Sequence, residues 1–510
     1  MKNRQNLGDT SPEEFRKQLH ELADWIADFR QNLGVLKVAP NEKPGAILAA
    51  LPAKAPETSE PFETILGDID RLIVPGMVHW SHPMFLGYFG WTTTAPAILG
   101  EIVTAPLNVN AMTWRTCPAA TELETLVVDW IRQWMDLPQE FGGVVFDTAS
   151  VGVMHALAVA REEAAPSVRK RGLVGAGAPR FRVYASEQAH SSAEKAAIAL
   201  GLGEENVRRV PTDANFCMDA RGLREMITRD IASGNRRIKP LAVIATVGTT
   251  STASVDPVPE IAKICRENKM WLHIDGAYGA GFAILPENKL LTNGWREADS
   301  VVVNPHKSLF VPLDFSVLYV RNLERLRQVF TLVPEYLRGD TVEAQKNYMD
   351  YGIQLGRRFR ALKAWVIFRS FGREGMAARL QEFIRLANLF ADWIKDDQRF
   401  ELAATVSMGV VCFRFIGRDP ATAGSRPSPP ARPAVTPYPA DRPNESKIDQ
   451  LNSEIVDKIN TSGRAYLTQT KLRGRTVIRI GLGNVLTTED HLRKAWEMIQ
   501  ETASELNRER

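Results

Sequence analysis

A chain of 510 residues is too long for one small core, so two or three structural units are expected. With 44% hydrophobic and 24% charged residues, and a formal net charge of only +3, it has an ordinary globular make-up; the mixed charges leave no nucleic-acid footprint. Four scattered cysteines, Cys117, Cys217, Cys265 and Cys412, lack CxxC spacing, which excludes the usual structural zinc site or disulfide framework and fits a reducing compartment. The polar N-terminus has no signal-peptide core, and no apolar run approaches the roughly 20 residues of a membrane span, so a cytoplasmic protein without a membrane partner is expected.

The first predicted element is a helix. Ser11 and Glu14 have the spacing of a capping box, with Pro12 at the first helical position. Phe15, Leu19, Leu22, Ile26, Phe29 and Leu33 form one apolar stripe, and Gly34 suits the C-terminal cap. Such a stripe needs a partner surface, within the chain or on a second subunit. Residues 35–60, rich in Pro and Ala, read as a connector. From about 95 to 385, helical patterns alternate with β-branched runs at 143–146, 181–185, 241–246, 271–274 and 300–303. Amphipathic segments such as 189–200 and 256–268 lie between them, which predicts a mainly parallel sheet covered by helices on both faces. A long helical stretch over roughly 355–395 leads out. Strand-like 408–415 and 476–481 then flank residues 418–446, whose Pro, Ala, Arg and Ser predict a flexible surface loop. A helix over about 488–506 closes the chain. The expected division is an N-terminal helical dimerisation segment (1–95), a large α/β domain (96–385) and a small C-terminal domain (386–510).

Four stretches carry chemistry. In Val303-Asn304-Pro305-His306-Lys307 a lysine follows a buried-looking strand. It is either a solvated loop residue or a desolvated amine able to condense with an aldehyde. His273-Ile274-Asp275-Gly276-Ala277-Tyr278 ends a strand in a carboxylate, either a turn former or the partner of a protonated ring nitrogen. Ligands in open α/β sheets sit at the carboxyl ends of strands, so Asp275 and Lys307 would share one crevice. Thr148-Ala149-Ser150 opens a helix and forms either an ordinary cap or a phosphate cradle. His190, in Glu187-Gln188-Ala189-His190-Ser191-Ser192, is either a capped surface histidine or a flat partner for an aromatic cofactor.

In this order the four pieces resemble the fold-type I pyridoxal-phosphate enzymes, and their wording is similar to the group II amino-acid decarboxylases, particularly the aromatic L-amino-acid decarboxylases. Pro75-Gly76-Met77-Val78-His79-Trp80, Thr121-Glu122-Leu123-Glu124 and Leu355-Gly356-Arg357-Arg358-Phe359-Arg360 extend the resemblance over nearly the whole chain, from about Pro12 to Leu506. It implies an α/β cofactor domain on a mainly parallel seven-stranded sheet, a small C-terminal α+β domain, and an N-terminal helical segment packed on the second subunit of a homodimer. The implied cofactor is pyridoxal 5′-phosphate, carried by Lys307, with Asp275 at the ring nitrogen and His190 stacked on the ring. Ala277 would pack on the other face, Thr148, Ala149 and Ser150 would hold the phosphate with Asn304 nearby, and Thr246 would lie close to the ring substituents.

The implied reaction is decarboxylation of an aromatic L-amino acid to its arylalkylamine. In the family a loop tyrosine returns the proton to the α-carbon, helped by the histidine beside the lysine; counting back from Leu355-Gly356 places it at Tyr348, with His306 as helper. Trp80, Tyr88 and Phe89 match the aromatic substrate wall, and Gly356 stands where plant relatives carry Gly for indoles and Ser for phenols. Some positions depart from the pattern. Gly90-Trp91 replaces Pro-Thr, and Ser308 replaces a Trp. Val151 replaces a Glu, while Asn110 and Met112 replace apolar and aromatic wall residues given by the second subunit. Two alternatives share the fold: a decarboxylase of acidic or other non-aromatic amino acids, for which Arg115 is the candidate side-chain partner, and an aldehyde synthase, whose relatives carry Phe at the loop tyrosine.

Overall fold

Runs of β-branched and other apolar residues without polar alternation suit strands buried on both faces. Here they build a seven-stranded sheet of β1 (Gly142–Phe146), β2 (Arg180–Ser186), β3 (Val207–Val210), β4 (Ile238–Thr246), β5 (Trp271–Asp275), β6 (Ser300–Val303) and β7 (Ser316–Val320). The order is β1-β7-β6-β5-β4-β2-β3. Strands β6, β5, β4, β2 and β3 pair in parallel, while β7 is antiparallel to both β6 and β1. All strands but β7 therefore point the same way and end at one edge. The computed structural model describes residues 9–90, 92–175, 178–235, 237–332, 345–417 and 445–509.

The main helices are α1 (Pro12–Asn32), α2 (Ala95–Leu107), α3 (Pro118–Trp134), α4 (Ala149–Ala164), α5 (Arg360–Asp396), α6 (Glu445–Ser462) and α7 (Glu489–Arg508). Successive side chains of a strand face opposite ways, so Val145 joins one apolar cluster and Val144 and Phe146 another. Helix α5 is kinked at Gly372, whose φ of +63° suits a residue without Cβ. It leads to a four-stranded antiparallel sheet, β8 (Phe400–Leu402), β9 (Val410–Phe415), β10 (Thr468–Leu472) and β11 (Arg475–Gly481), in the order β10-β11-β9-β8. The larger cluster is continuous into this smaller unit through Phe390, Phe400, Phe413 and Trp496. No described helix is long and apolar enough to cross a membrane.

Three local expectations are corrected. Ser11 Oγ accepts the Glu14 N–H at 3.2 Å, but the Glu14 carboxylate accepts from Gln18 instead of turning back to the cap. Helix α1 runs into a 3₁₀ turn, Leu33–Val35, through a right-handed Leu33, so Gly34 is not a left-handed cap. The Pro-rich stretch 418–446 lies outside the described residues over 418–444, and its last two residues already belong to α6, whose Leu451, Ile455, Val456 and Ile459 are buried.

Candidate active site

Strand direction collects the chemistry. Thr148 follows β1, His190 follows β2, Thr246 ends β4, Asp275 ends β5, and Asn304 to Lys307 follow β6. Thr246 and Asp275 are direct partners in the sheet register. Lys307 sits in the one-turn helix Pro305–Ser308, and its N–H donates to Asn304 O at 2.8 Å. Asn304 is itself fixed: the Ser316 hydroxyl donates to its Oδ1 at 2.6 Å, and its N–H donates to Ala277 O. That side-chain oxygen is committed to the scaffold of the lysine turn.

Burial pushes the Lys307 amine below the ordinary lysine range; the Arg479 cation adds to this and the Asp275 carboxylate opposes it. His190 is lowered by burial first, with Asp275 raising and Lys307 lowering it further, so the three groups feel one another's charge. The His190 Nδ1 accepts the Ser192 N–H at 3.1 Å, leaving Nε2 as the protonated nitrogen. His306 Nδ1 accepts the Phe315 N–H at 3.0 Å, and burial takes its pKa to about 3, so it is a neutral Nε2–H donor. Asp275 Oδ1 accepts the Ala277 N–H at 3.1 Å. The Lys307 Nζ lies 4.8 Å from the Phe89 ring centroid, and that ring stacks on Tyr278 at 4.0 Å.

The buried atoms fit pyridoxal phosphate. Thr246 Oγ1 is buried with no hydrogen-bond partner among the described residues, and a buried hydroxyl in that state calls for a ligand atom or water. Thr148 is the N-cap residue of the 16-residue α4 but makes no side-chain cap bond; its N–H and hydroxyl turn to Asp147 Oδ1. The first turn of α4 therefore keeps N–H groups and a positive helix end for an anion.

The substrate-wall residues divide. Trp80 stacks on Tyr88 at 5.0 Å, and Tyr88 lies 6.3 Å from Tyr466 of the smaller unit, so these rings form a series reaching across the chain. Tyr88 is 47% exposed and left-handed in φ. Phe89 contacts Lys307, and Trp91 lies outside the described residues. Asn110, Met112 and Gly356 form a separate group. The Asn110 amide accepts the Arg357 N–H at 2.9 Å and approaches Met112 Sδ at 3.4 Å; a Cβ on Gly356 would meet only Asn110 Nδ2, at 3.8 Å. Ser308 donates to Tyr278 O and packs tightly on Gly281.

Tyr348 sits in a packed turn. It is 1% exposed, in a 3₁₀ turn, with its hydroxyl 2.9 Å from Thr125 Oγ1. The Arg357 guanidinium lies 4.7 Å and the Lys346 ammonium 4.5 Å from its ring centroid. Arg357 makes a two-bond ion pair with Glu124 at 3.0 and 2.7 Å and donates to Val145 O, while Glu124 accepts the Val145 N–H. Burial drives the Tyr348 phenol well above its usual pKa. In this structure Tyr348 is buried in a closed network. Residues 333–344, just before it, lie outside the described residues. Sequence patterns also passed over Tyr278, Tyr466 and Arg479. The last carried a signal: a lone charge inside the apolar strand Val477-Ile478-Arg479-Ile480.

An amine kept from water at a strand end, with a carboxylate and an imidazole beside it and an unpartnered hydroxyl on the next strand, defines an α/β enzyme that anchors its cofactor through a lysine. The profile of the pyridoxal-dependent decarboxylase conserved domain matches residues 44–416, and the chain belongs to that family. It is 33% identical to the aromatic-L-amino-acid decarboxylase of Catharanthus roseus over 99% of this chain and 97% of that one. It is 34% identical to the phenylacetaldehyde synthase of a Rosa hybrid cultivar, over 96% and 94% of the two chains. The crystal structure of Oryza sativa TDC with PLP and tryptamine matches with a TM-score of 0.88 at 34% identity, covering 98% of this chain and 99% of that one. The protein is thus a fold-type I, pyridoxal-phosphate-dependent amino-acid decarboxylase.

Proposed function

We propose that this chain decarboxylates an aromatic L-amino acid, of the tryptophan, phenylalanine, tyrosine or DOPA type, to the arylalkylamine and carbon dioxide. The observation that carries the reading is the aromatic wall beside the reactive amine: Phe89 against Lys307, with Trp80 stacked on the neighbouring Tyr88. Flat apolar walls favour flat apolar side chains. Pyridoxal phosphate, when bound, supplies an electron sink for the bond broken at the α-carbon. Lys307 would hold its aldehyde, Asp275 would keep its ring nitrogen protonated, and His190 and Ala277 would pack against the ring. The first turn of α4, with Thr148, Ala149 and Ser150, takes the phosphate, and Thr246 gains the partner its hydroxyl lacks. Neutral His306 holds a proton on Nε2 next to the lysine turn. The test is product analysis of the cofactor-loaded protein with tryptophan, phenylalanine, tyrosine, DOPA, glutamate and histidine. Amine and carbon dioxide from an aromatic substrate are expected; turnover of glutamate or histidine alone would overturn the aromatic reading.

A second reading, oxidative deamination to an aldehyde, draws on one observation: in this structure the Tyr348 hydroxyl meets Thr125 Oγ1 at 2.9 Å. Aldehyde and peroxide in the same assay would select it.

The working unit we propose is a homodimer. No residue of the 21-residue α1 is buried, with Phe15 53% and Leu19 42% exposed, and α2 exposes Leu99, Ile102, Val103 and Leu107. Monomers seldom leave such faces open, and a second copy is the partner the family provides. Asn110 and Met112 would then face the other subunit's substrate. Sedimentation at the monomer mass with full activity would defeat this. Four free cysteines support the cytoplasm as the compartment, which a fluorescent fusion would check.

A further inference from the structure

Arg479 is an expensive residue without an assigned task. It lies in β11 at 4% exposure, and among the described residues no carboxylate pairs with it. A buried guanidinium without a counter-ion is costly unless its position serves something. Its contacts are specific. Nε donates to Ser251 O at 3.0 Å and Nη1 donates to Tyr88 O, so one side chain of the smaller unit grips both the β4 exit loop and the residue before Phe89. Its Cζ lies 4.9 Å from the Phe89 ring centroid, the same ring from which Lys307 Nζ is 4.8 Å. Nη2 is buried with no partner among the described residues.

We infer that Arg479 is the positioning residue for Lys307: from the smaller unit it clamps the Tyr88-Phe89 backbone so that the Phe89 ring covers the amine, and it sets a fixed cation beside that amine. Among the described residues, four charged or titratable groups bear on Lys307. Asp275 comes from β5, His190 from the turn after β2, His306 from its own turn and Arg479 from β11. Both histidines are held toward the neutral form, chiefly by burial. Asp275 is therefore one carboxylate facing two cations. A permanent guanidinium on the same ring as the amine disfavours a second positive charge on Lys307 and leaves the amine's lone pair available. Arginine suits the task because it does not itself deprotonate. The inference rests on the reading of Lys307 as the cofactor anchor.

The test follows cofactor capture by the full-length protein. Pyridoxal phosphate is added across a pH series, its absorption is recorded, and the adduct is trapped with borohydride and located by peptide mapping. In the parent protein the label is expected on Lys307. Arg479→Met and Arg479→Gln, the second keeping a donor for the backbone carbonyls, should move the midpoint of the capture rate upward by roughly one pH unit, or about tenfold slower capture at neutral pH. Arg479→Lys, which keeps the charge, should restore the midpoint while weakening capture through a looser Phe89. A merely structural role would lower Tm in all three variants and leave the midpoint still. An unmoved midpoint in folded Met and Gln variants overturns the inference. Absence of label on Lys307 in the parent protein would instead remove the anchor reading beneath it.

Discussion

Two buried polar clusters, one at the sheet edge and one under the turn at 345–357, look alike by residue type and differ in how their hydrogen bonds are used. At the edge, Thr246 Oγ1 and Arg479 Nη2 are buried and, among the described residues, unpartnered, and Lys307 Nζ lies over the Phe89 ring. Under the turn, Glu124 accepts from Arg357 and from Val145 N–H, Arg357 also donates to Val145 O, and Tyr348 meets Thr125. A closed network rigidifies; an open one keeps donors, acceptors and a desolvated nucleophile ready for a ligand. Between these two clusters, the open polar atoms fall at the sheet edge and the closed bonds under the turn.

The contrast can be broken most sharply at Lys307. Lys307→Ala should lose turnover by several orders of magnitude and lose the lysine-linked cofactor absorption while folding normally, since the residue removed is a nucleophile and not a packing element. A variant of unchanged spectrum would move the anchor elsewhere. In the closed cluster the effect should fall on stability. Glu124→Gln leaves Arg357 buried and unbalanced, a loss of about 3–5 kcal/mol in denaturant titration, with trapping at Lys307 retained in the folded fraction.

Lys346 gives a smaller, pH-dependent test. Burial lowers its pKa from 10.5 to about 8, against the raising effect of Glu124. A lysine whose folded pKa lies below its unfolded value binds fewer protons folded than unfolded between those two values, so stability rises with pH from about 8 toward 10.5. Below pH 8 the native state carries the full cost of the buried charge. Lys346→Met should therefore be the more stable protein at pH 7, by on the order of 1–3 kcal/mol, and the gap should close toward pH 10. A constant gap would mean the ammonium is satisfied where it sits.

The smallest effect is expected at Tyr348. Tyr348→Phe removes one hydrogen bond, about 1 kcal/mol of stability, and its ratio of amine to aldehyde tests the proton-return role. Aldehyde rising at the expense of amine in Tyr348→Phe would support the proton-return role; an unchanged ratio would remove it.

Much was legible in the residues alone because it is local. Asp275 and Lys307 each follow a run of apolar residues that only a buried strand accommodates, and strand direction carries both to one edge; the segments 143–146, 271–274 and 300–303 lie within or coincide with β1, β5 and β6. Short β3, Val-Arg-Arg-Val, reads as polar because it borders the sheet, paired on one side by β2 alone. The packing of Tyr348 was not legible, because spacing along a chain says nothing about which side of a turn is already packed; that is decided by Arg357, Glu124 and Thr125 closing over the ring.

By itself, then, the sequence determined the strand-and-helix alternation, the order of the lysine, carboxylate and imidazole pieces, and with them the cofactor class, since these depend on residue type and near neighbours. Only the tertiary structure decided which polar groups stay open. Tyr466 and Arg479 reach the site from more than a hundred residues beyond Lys307, and hydrogen-bond satisfaction of a buried group is a property of its surroundings, not of its place in the chain.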